Sequence, residues 1–261
     1  MTELDLERLR HGQAAERFHG RAVALLPIGS TEPHGPHLPL DTDTVLARAR
    51  ARRAAELFHE RGVDALVLPA LPYGVARLAQ DYGGGITLRP GTLWAFVEDL
   101  VISLQQDGIR QLVLVNAHHE AEHLRILTNL AVDFCERGRG RCEVLFPDAP
   151  TLGGGLLEEF DCHGGREETS LMLAAAPDLV DDEVRRTLAP VELDLPDAVP
   201  GQSRSLVDLG IRDAYLGAPA EATAQEGAEL LDRLAGLVVD RCARAWPDLF
   251  RPDSRPTLGP S

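Results

Sequence analysis

The chain predicts an α/β protein, a three-layer αβα arrangement around a mainly parallel central sheet. Short apolar runs alternate with longer amphipathic segments, glycines stand where those segments should end, and two clusters rich in histidine and carboxylate follow directly after apolar runs. Residues 23–28, 65–69, 112–115 and 144–146 read as buried strands, while 43–61, 92–107 and 120–137 read as helices. Gly62, Gly108 and Gly138 occupy the places of C-terminal glycine caps. The resulting βαβαβαβ order favours parallel strands covered by helices on both faces, and such sheets collect ligands at the carboxyl ends of their strands. A helix at 167–175 and a long one at 222–246 complete the core. Residues 190–220, rich in Pro, Asp and Gly, read as an irregular connection, and RPDSRPTLGPS at 251–261 reads as a disordered tail. The expectation is one domain over 1–250 with no internal repeat.

Composition narrows the function. The 261 residues are 44% apolar, enough for a full core. A formal net charge of -15 argues against nucleic acid and anionic membrane as partners, since both need basic patches. The four cysteines, Cys135, Cys142, Cys162 and Cys242, form no CxxC pair, which suggests free thiols in a reducing compartment. MTELDLERLRHGQ lacks the apolar core of a signal peptide, and no stretch approaches the ~20 apolar residues of a membrane span. A cytoplasmic location is expected.

The chemistry concentrates in LLPIGSTEPHGPHLPLDTD, which supplies Glu32, His34, His37, Asp41 and Asp43, and in VNAHHEAEH, which supplies His118, His119, Glu120, Glu122 and His123. Pro33, Pro36 and Pro39 forbid a regular helix in the first, so its side chains sit on a rigid loop leaving a strand. In an extended loop residues at i and i+2 point the same way, so Glu32 and His34 can both face a cation, and His118 and Glu120 repeat the spacing. A lone E-x-H such as Glu32 and His34 reads better as a solvated loop, and Asp43 could serve merely as the N-cap of a helix. Together, histidine nitrogen and carboxylate oxygen without thiolate suit zinc, manganese or iron. Four or five ligands including three carboxylates can hold two divalent ions, one carboxylate bridging. His37 and Asp41 read as partners that orient ligands. Glu122 and His123 read as solvated, Gly83 to Gly85 as a backbone turn, and Gly153 to Gly155 as a flexible element over the site.

PIGSTEPHGPHLPLDTD resembles the signature of the creatininase family of metal-dependent amidohydrolases. LPYGVARLAQDYGGGITLRPGTLW, VLVNAHHE and HGGREETSLMLAAAPDLV resemble three further family segments, in the same order along the chain. The resemblance implies a creatininase-like fold and a homo-oligomer, often a hexamer. It implies that Glu32, His34, Asp43, His118 and Glu120 bind two divalent ions with Asp43 as the bridge. It also implies that His163 is the general acid or base, and adds Glu168 as a residue that reaches the centre in some branches. Zn2+ is the first expectation, with Mn2+ or Fe2+ as alternatives.

The departures bear on substrate. Ala117 replaces the family's usual glycine and His119 stands at the tyrosine of true creatininases. Between Phe146 and His163 the two substrate-sandwiching tryptophans of that pattern are missing, and Cys162 takes the place of a glutamate. Trp94 and Trp246 fall on predicted helices and read as core. A Cys162 nucleophile would be redundant beside a metal-activated water. The expectation is a binuclear metal-dependent amidohydrolase that cleaves, or forms, a C–N bond of a small amide, lactam or formamide, with creatinine disfavoured. One alternative is the branch that trims a modified peptide in cofactor maturation, which usually carries a glycine pair where this chain has His119 and Glu120. The other is a metal-binding protein without turnover, against which the proton-transfer residue His163 argues.

Overall fold

A computed structural model describes residues 3–19, 22–135, 142–148, 163–192 and 205–251. Strands β1 (Val23–Ile28), β2 (Ala65–Val67), β3 (Gln111–Asn116) and β4 (Glu143–Leu145) form one sheet in the order β2-β1-β3-β4, every pair parallel. The helices are α1 (His11–His19), α2 (Thr42–Glu60), α3 (Pro90–Gln106), α4 (Ala121–Cys135), α5 (Arg166–Ala175), α6 (Asp182–Arg185) and α7 (Ala224–Ala245).

β1 is buried at every residue, as an interior parallel strand must be. Its side chains alternate between two layers. Val23 and Leu25 pack with Ala51, Ala55 and Phe58 of α2 and with Ala235 and Val239 of α7. Ala24, Leu26 and Ile28 face the opposite way, against Val97 and Val101 of α3 and Leu127 and Leu130 of α4. Each fully buried Leu or Ile side chain stabilises the fold by roughly 1.5–3 kcal/mol, so β1 is the seam joining both layers. The expected three-layer αβα architecture is therefore present, with α2 and α7 on one face and α3 and α4 on the other.

The β1–β3 ladder runs from Val23 opposite Gln111 to Ile28 opposite Asn116, and Ala117 N–H donates to Ile28 O at 3.0 Å. Both histidine-carboxylate loops thus leave the sheet at one level of its carboxyl edge. Most element boundaries fall within two residues of expectation. α3 starts at Pro90 rather than residue 92, because proline lacks only an N–H that the first helical turn would leave unpaired. α7 starts after Thr223, whose hydroxyl accepts from Glu226 N–H at 3.2 Å. α1 is absent from the sequence expectation; it is tied to the body by Arg17, which bonds the Asp64 carboxylate and the Ala65 carbonyl, and by Phe18, which packs against the α3–α4 layer. Gly62 and Gly108 end their helices at φ 77° and 105°, whereas Gly138 lies outside the described residues. Trp94 is half-buried against the α3–α4 layer and Trp246 is buried beside α7. The expected flexible element at Gly153 to Gly155, the tail beyond Arg251, Cys162 and part of the 190–220 connection also lie outside the described residues. Among the described residues no helix is long and apolar enough to cross a membrane.

Candidate metal centre

The loop after β1 folds back on itself, with Glu32 N–H donating to Leu40 O at 2.9 Å, and delivers both Glu32 and His34 into the interior at 3% and 1% exposure. Asp43 lies in the first turn of α2, two residues past the cap position, and is likewise buried. That removes the N-cap role. The cap position belongs to Asp41, which is exposed and makes no capping bond. α2 approaches β1 this closely because of Gly29, where a Cβ would stand 2.4 Å from Thr44 N.

His118 arrives from the loop after β3. Its Nδ1 lies 2.8 Å from Glu32 Oε1 and 3.1 Å from Asp43 Oδ2. On the other side of Asp43, His34 Nε2 lies 3.2 Å from Asp43 Oδ1 and 3.6 Å from Glu168 Oε2. Glu168 sits in the first turn of α5, its Oε2 accepting from Gly164 N–H at 2.6 Å. Two sets of donors therefore meet at one residue: Glu32, Asp43 and His118 form one, His34, Asp43 and Glu168 the other, each with ligand atoms within 4.8 Å. Glu32, His34 and His163 form a third such set.

The electrostatics show what this arrangement lacks without a cation. Burial disfavours charge on His34, yet Glu168, Asp43 and Glu32 raise it to about 10. Burial opposes His118 in the same way, and Glu32 and Asp43 again raise it well above 6.5. Asp43, despite its burial, is held well below the usual carboxylate range by the two histidines. Burial, with the charges of Asp43 and Glu32, lifts Glu168 to about 8 against the pull of His34. Protons on the histidines thus stand where positive charge is required. His118 Nε2 is 2.8 Å from the Val75 carbonyl, which can only accept, so a neutral His118 presents its Nδ1 lone pair to two carboxylates. Asp43 Oδ2 is buried and accepts no hydrogen bond. Hard oxygen and imidazole donors around such an atom fit divalent zinc, manganese or iron.

Glu120 lines the cavity beside the other expected ligands; its Oε2 accepts from the backbone N–H groups of Arg77 at 2.6 Å and Leu78 at 3.2 Å, and it belongs to none of the three donor sets. His163 packs on His34 with ring centroids 4.5 Å apart, and its Nε2 has no hydrogen-bond partner. Burial, then the neighbouring His34, pulls its pKa down to about 4. His119 is exposed at the cavity wall. His37 is buried with its Nε2 2.9 Å from Thr169 Oγ1, tying the first loop to α5. Gly83 to Gly85 turn the chain behind the first loop, where Gly85 faces Pro33. His123, expected in solvent, is fully buried, and Glu122 beside it pairs with Arg77 and Arg125 at the surface. The sequence carried a signal for His123: it precedes Ile126, Leu127 and Leu130 by three, four and seven residues, the spacing of the buried face of α4. The cavity above the donors measures 170 Å³, and its apolar wall is aliphatic, with Leu78, Ala117, Leu206 and Leu216.

A parallel αβα sheet with a buried carboxylate–histidine cluster at its carboxyl edge defines a hydrolase-type α/β protein with a candidate metal centre. The family model described as "Creatininase: Creatinine amidohydrolase" matches residues 7–242. The chain belongs to the creatininase family. It is 32% identical over 232 residues to a "Mycofactocin precursor peptide peptidase" of Mycolicibacterium smegmatis, covering 87% of this chain and 86% of that one. It is also 32% identical over 188 residues to a "Creatinine amidohydrolase" of Pseudomonas putida, covering 62% and 67%. A solved structure, "Creatininase Mn", superposes with a TM-score of 0.72 at 26% identity, covering 94% of this chain and 100% of that one.

Proposed function

We propose that this creatininase-family hydrolase cleaves a neutral amide C–N bond at a binuclear centre in which Asp43 bridges two divalent ions. The observation that carries the reading is the membership of Asp43 in two donor sets, one completed by Glu32 and His118, the other by His34 and Glu168. Glu168 thus takes the ligand place that the sequence motif assigns to Glu120. Two ions held there would supply Lewis acidity towards a carbonyl oxygen and a water of lowered pKa.

The remaining work falls to protein groups. His163, neutral above about pH 4, holds its Nε2 lone pair free beside the donor sets. It takes the proton released when water adds to the carbonyl and passes it to the departing nitrogen, which is too basic to leave as an anion. Leu78, Leu206 and Leu216 hold the apolar flank of the substrate and exclude water. No lysine or arginine lines the cavity among the described residues, and the four carboxylates there, Glu32, Asp43, Glu120 and Glu168, would offset the charge of two dications, leaving no net positive charge to draw an anionic substrate. A small amide, lactam or formamide satisfies this wall.

A second reading is trimming of a short peptide, favoured by 32% identity across 87% of this chain to a protein of that printed activity. Turnover of lactams and formamides against short neutral peptides separates the two readings. The experiment for the chemistry itself is His163→Gln, assayed on an amide and on an anilide with a better leaving group. Metal content should be unchanged, while amide turnover falls by about 10²–10⁴-fold and anilide turnover by less. Loss of an ion in this variant would instead make His163 a ligand in the set with Glu32 and His34.

A further inference from the structure

Behind His118 four groups close a ring of hydrogen bonds. Val75 N–H donates to His123 Nδ1 at 3.3 Å, and His123 Nε2 meets Asn116 Oδ1 at 2.9 Å. Asn116 Nδ2 then donates to His118 O at 2.6 Å, and His118 Nε2 returns to Val75 O at 2.8 Å. The directions follow from the backbone ends. An amide N–H only donates, so His123 Nδ1 must accept and its proton resides on Nε2. Asn116 accepts that proton with its oxygen and so turns its NH₂ to the His118 carbonyl. The Val75 carbonyl only accepts, so His118 carries its proton on Nε2 and directs Nδ1 at Glu32 and Asp43.

A second observation is independent of these bonds. A Cβ on Gly74 would stand 2.7 Å from His123 Nδ1 and 2.9 Å from Cε1, so the backbone before Val75 is cleared for this ring. Asn116 and His123 are both fully buried, and the His118 and His123 rings meet edge to face with centroids 4.8 Å apart.

We infer that His123 is a positioning residue for the metal centre: through the Val75 backbone, Asn116 and its edge contact it holds the His118 ring in place, so that His118, its tautomer set by the Val75 carbonyl, aims Nδ1 between Glu32 and Asp43. The inference rests on the binuclear reading above. His123 touches neither donor carboxylate, and it acts through His118 alone, so its effect belongs to the Glu32–Asp43–His118 set and not to the His34–Asp43–Glu168 set.

The test is chelator-competition titration of the metal-free protein with Zn2+ and with Mn2+, comparing wild type, His123→Leu and His123→Gln. His123→Leu should weaken one binding step roughly 10–100-fold, the usual cost of losing a group that orients a ligand, and leave the other step in place. His123→Gln, whose carboxamide both accepts and donates, should restore most of that loss. Parallel weakening of both steps, or none in either, overturns the positioning role. Nitrogen NMR of the wild-type histidines reads the tautomers without any variant, so a misfolded His123→Leu does not protect the inference. His123 and metal-loaded His118 should both carry the Nε2 proton, and an Nδ1–H His123 overturns it. A wild-type protein that binds no divalent ion brings down the binuclear reading itself, whereas normal uptake with unaffected variants brings down only His123.

Discussion

Single side chains decide how the two ions would be shared. Glu120 and Glu168 both line the cavity and both accept from backbone N–H groups, Glu120 from Arg77 and Leu78 and Glu168 from Gly164, but Glu168 also stands 3.6 Å from His34 within a donor set. Glu168→Gln should therefore cost one of two bound ions, and Glu120→Gln should keep both; elemental analysis showing the reverse restores the motif-based assignment. The pairing of Glu32 with His34 was legible from i, i+2 spacing alone, because an extended loop sends both the same way. Glu168 was reached only through the family resemblance, because its own spacing reads as helix surface and its approach to His34 depends on the Gly164 N–H that holds its carboxylate. His37 carries a pH dependence. Burial, then Arg185 and His34, lowers it from 6.5 to about 4, so between those values the unfolded chain binds the proton first. Its stabilising contribution is full above pH 6.5 and is lost as pH falls towards 4. In metal-free protein, denaturant midpoints of wild type should fall across that window more steeply than those of His37→Gln. Parallel curves would show that His37 is not held neutral.

Elements matter through where they begin. The carboxyl edge of the sheet brings the loops after β1 and β3 together because the β1–β3 ladder stays in register to Ile28 and Asn116. That much follows from the apolar runs, and parallel strands with intervening helices were legible from their alternation. The ends of the short strands β2 and β4, and the helix α1, were less so, since pairing ends and the Arg17 and Phe18 contacts of α1 are set by tertiary structure rather than by periodicity. α2 carries Asp43, and its first turn rests on Gly29, with room for no side chain between them. Gly29→Ala should shift α2 outward, lowering stability by about 1–3 kcal/mol as overpacking does and weakening metal uptake in step. A thermal melt and an ion count on the same variant check it. An unshifted melting point with full uptake would show that α2 is not seated by this contact.

The whole molecule bears on substrate. Its net charge of -15 and the four cavity carboxylates set a negative field that two dications would neutralise locally, favouring uncharged amides over anions. The chain has only two tryptophans, and both belong to helix packing rather than to the cavity. A flat ring gains roughly 0.5–1.5 kcal/mol per aromatic pairing beyond burial, and the aliphatic wall of Leu78, Leu206 and Leu216 offers none. Creatinine turnover should be absent or very weak, and robust turnover would show that the described wall is not where the substrate ring lies. Beneath all of this stands the proposal that Asp43 is shared between two ions. The direct measurement is metal content by elemental analysis of metal-loaded wild type and Asp43→Ala after gel filtration. Two ions per chain in the wild type and loss of both in the variant are expected, while a wild type that never exceeds one ion, or a variant that keeps two, would contradict the binuclear centre.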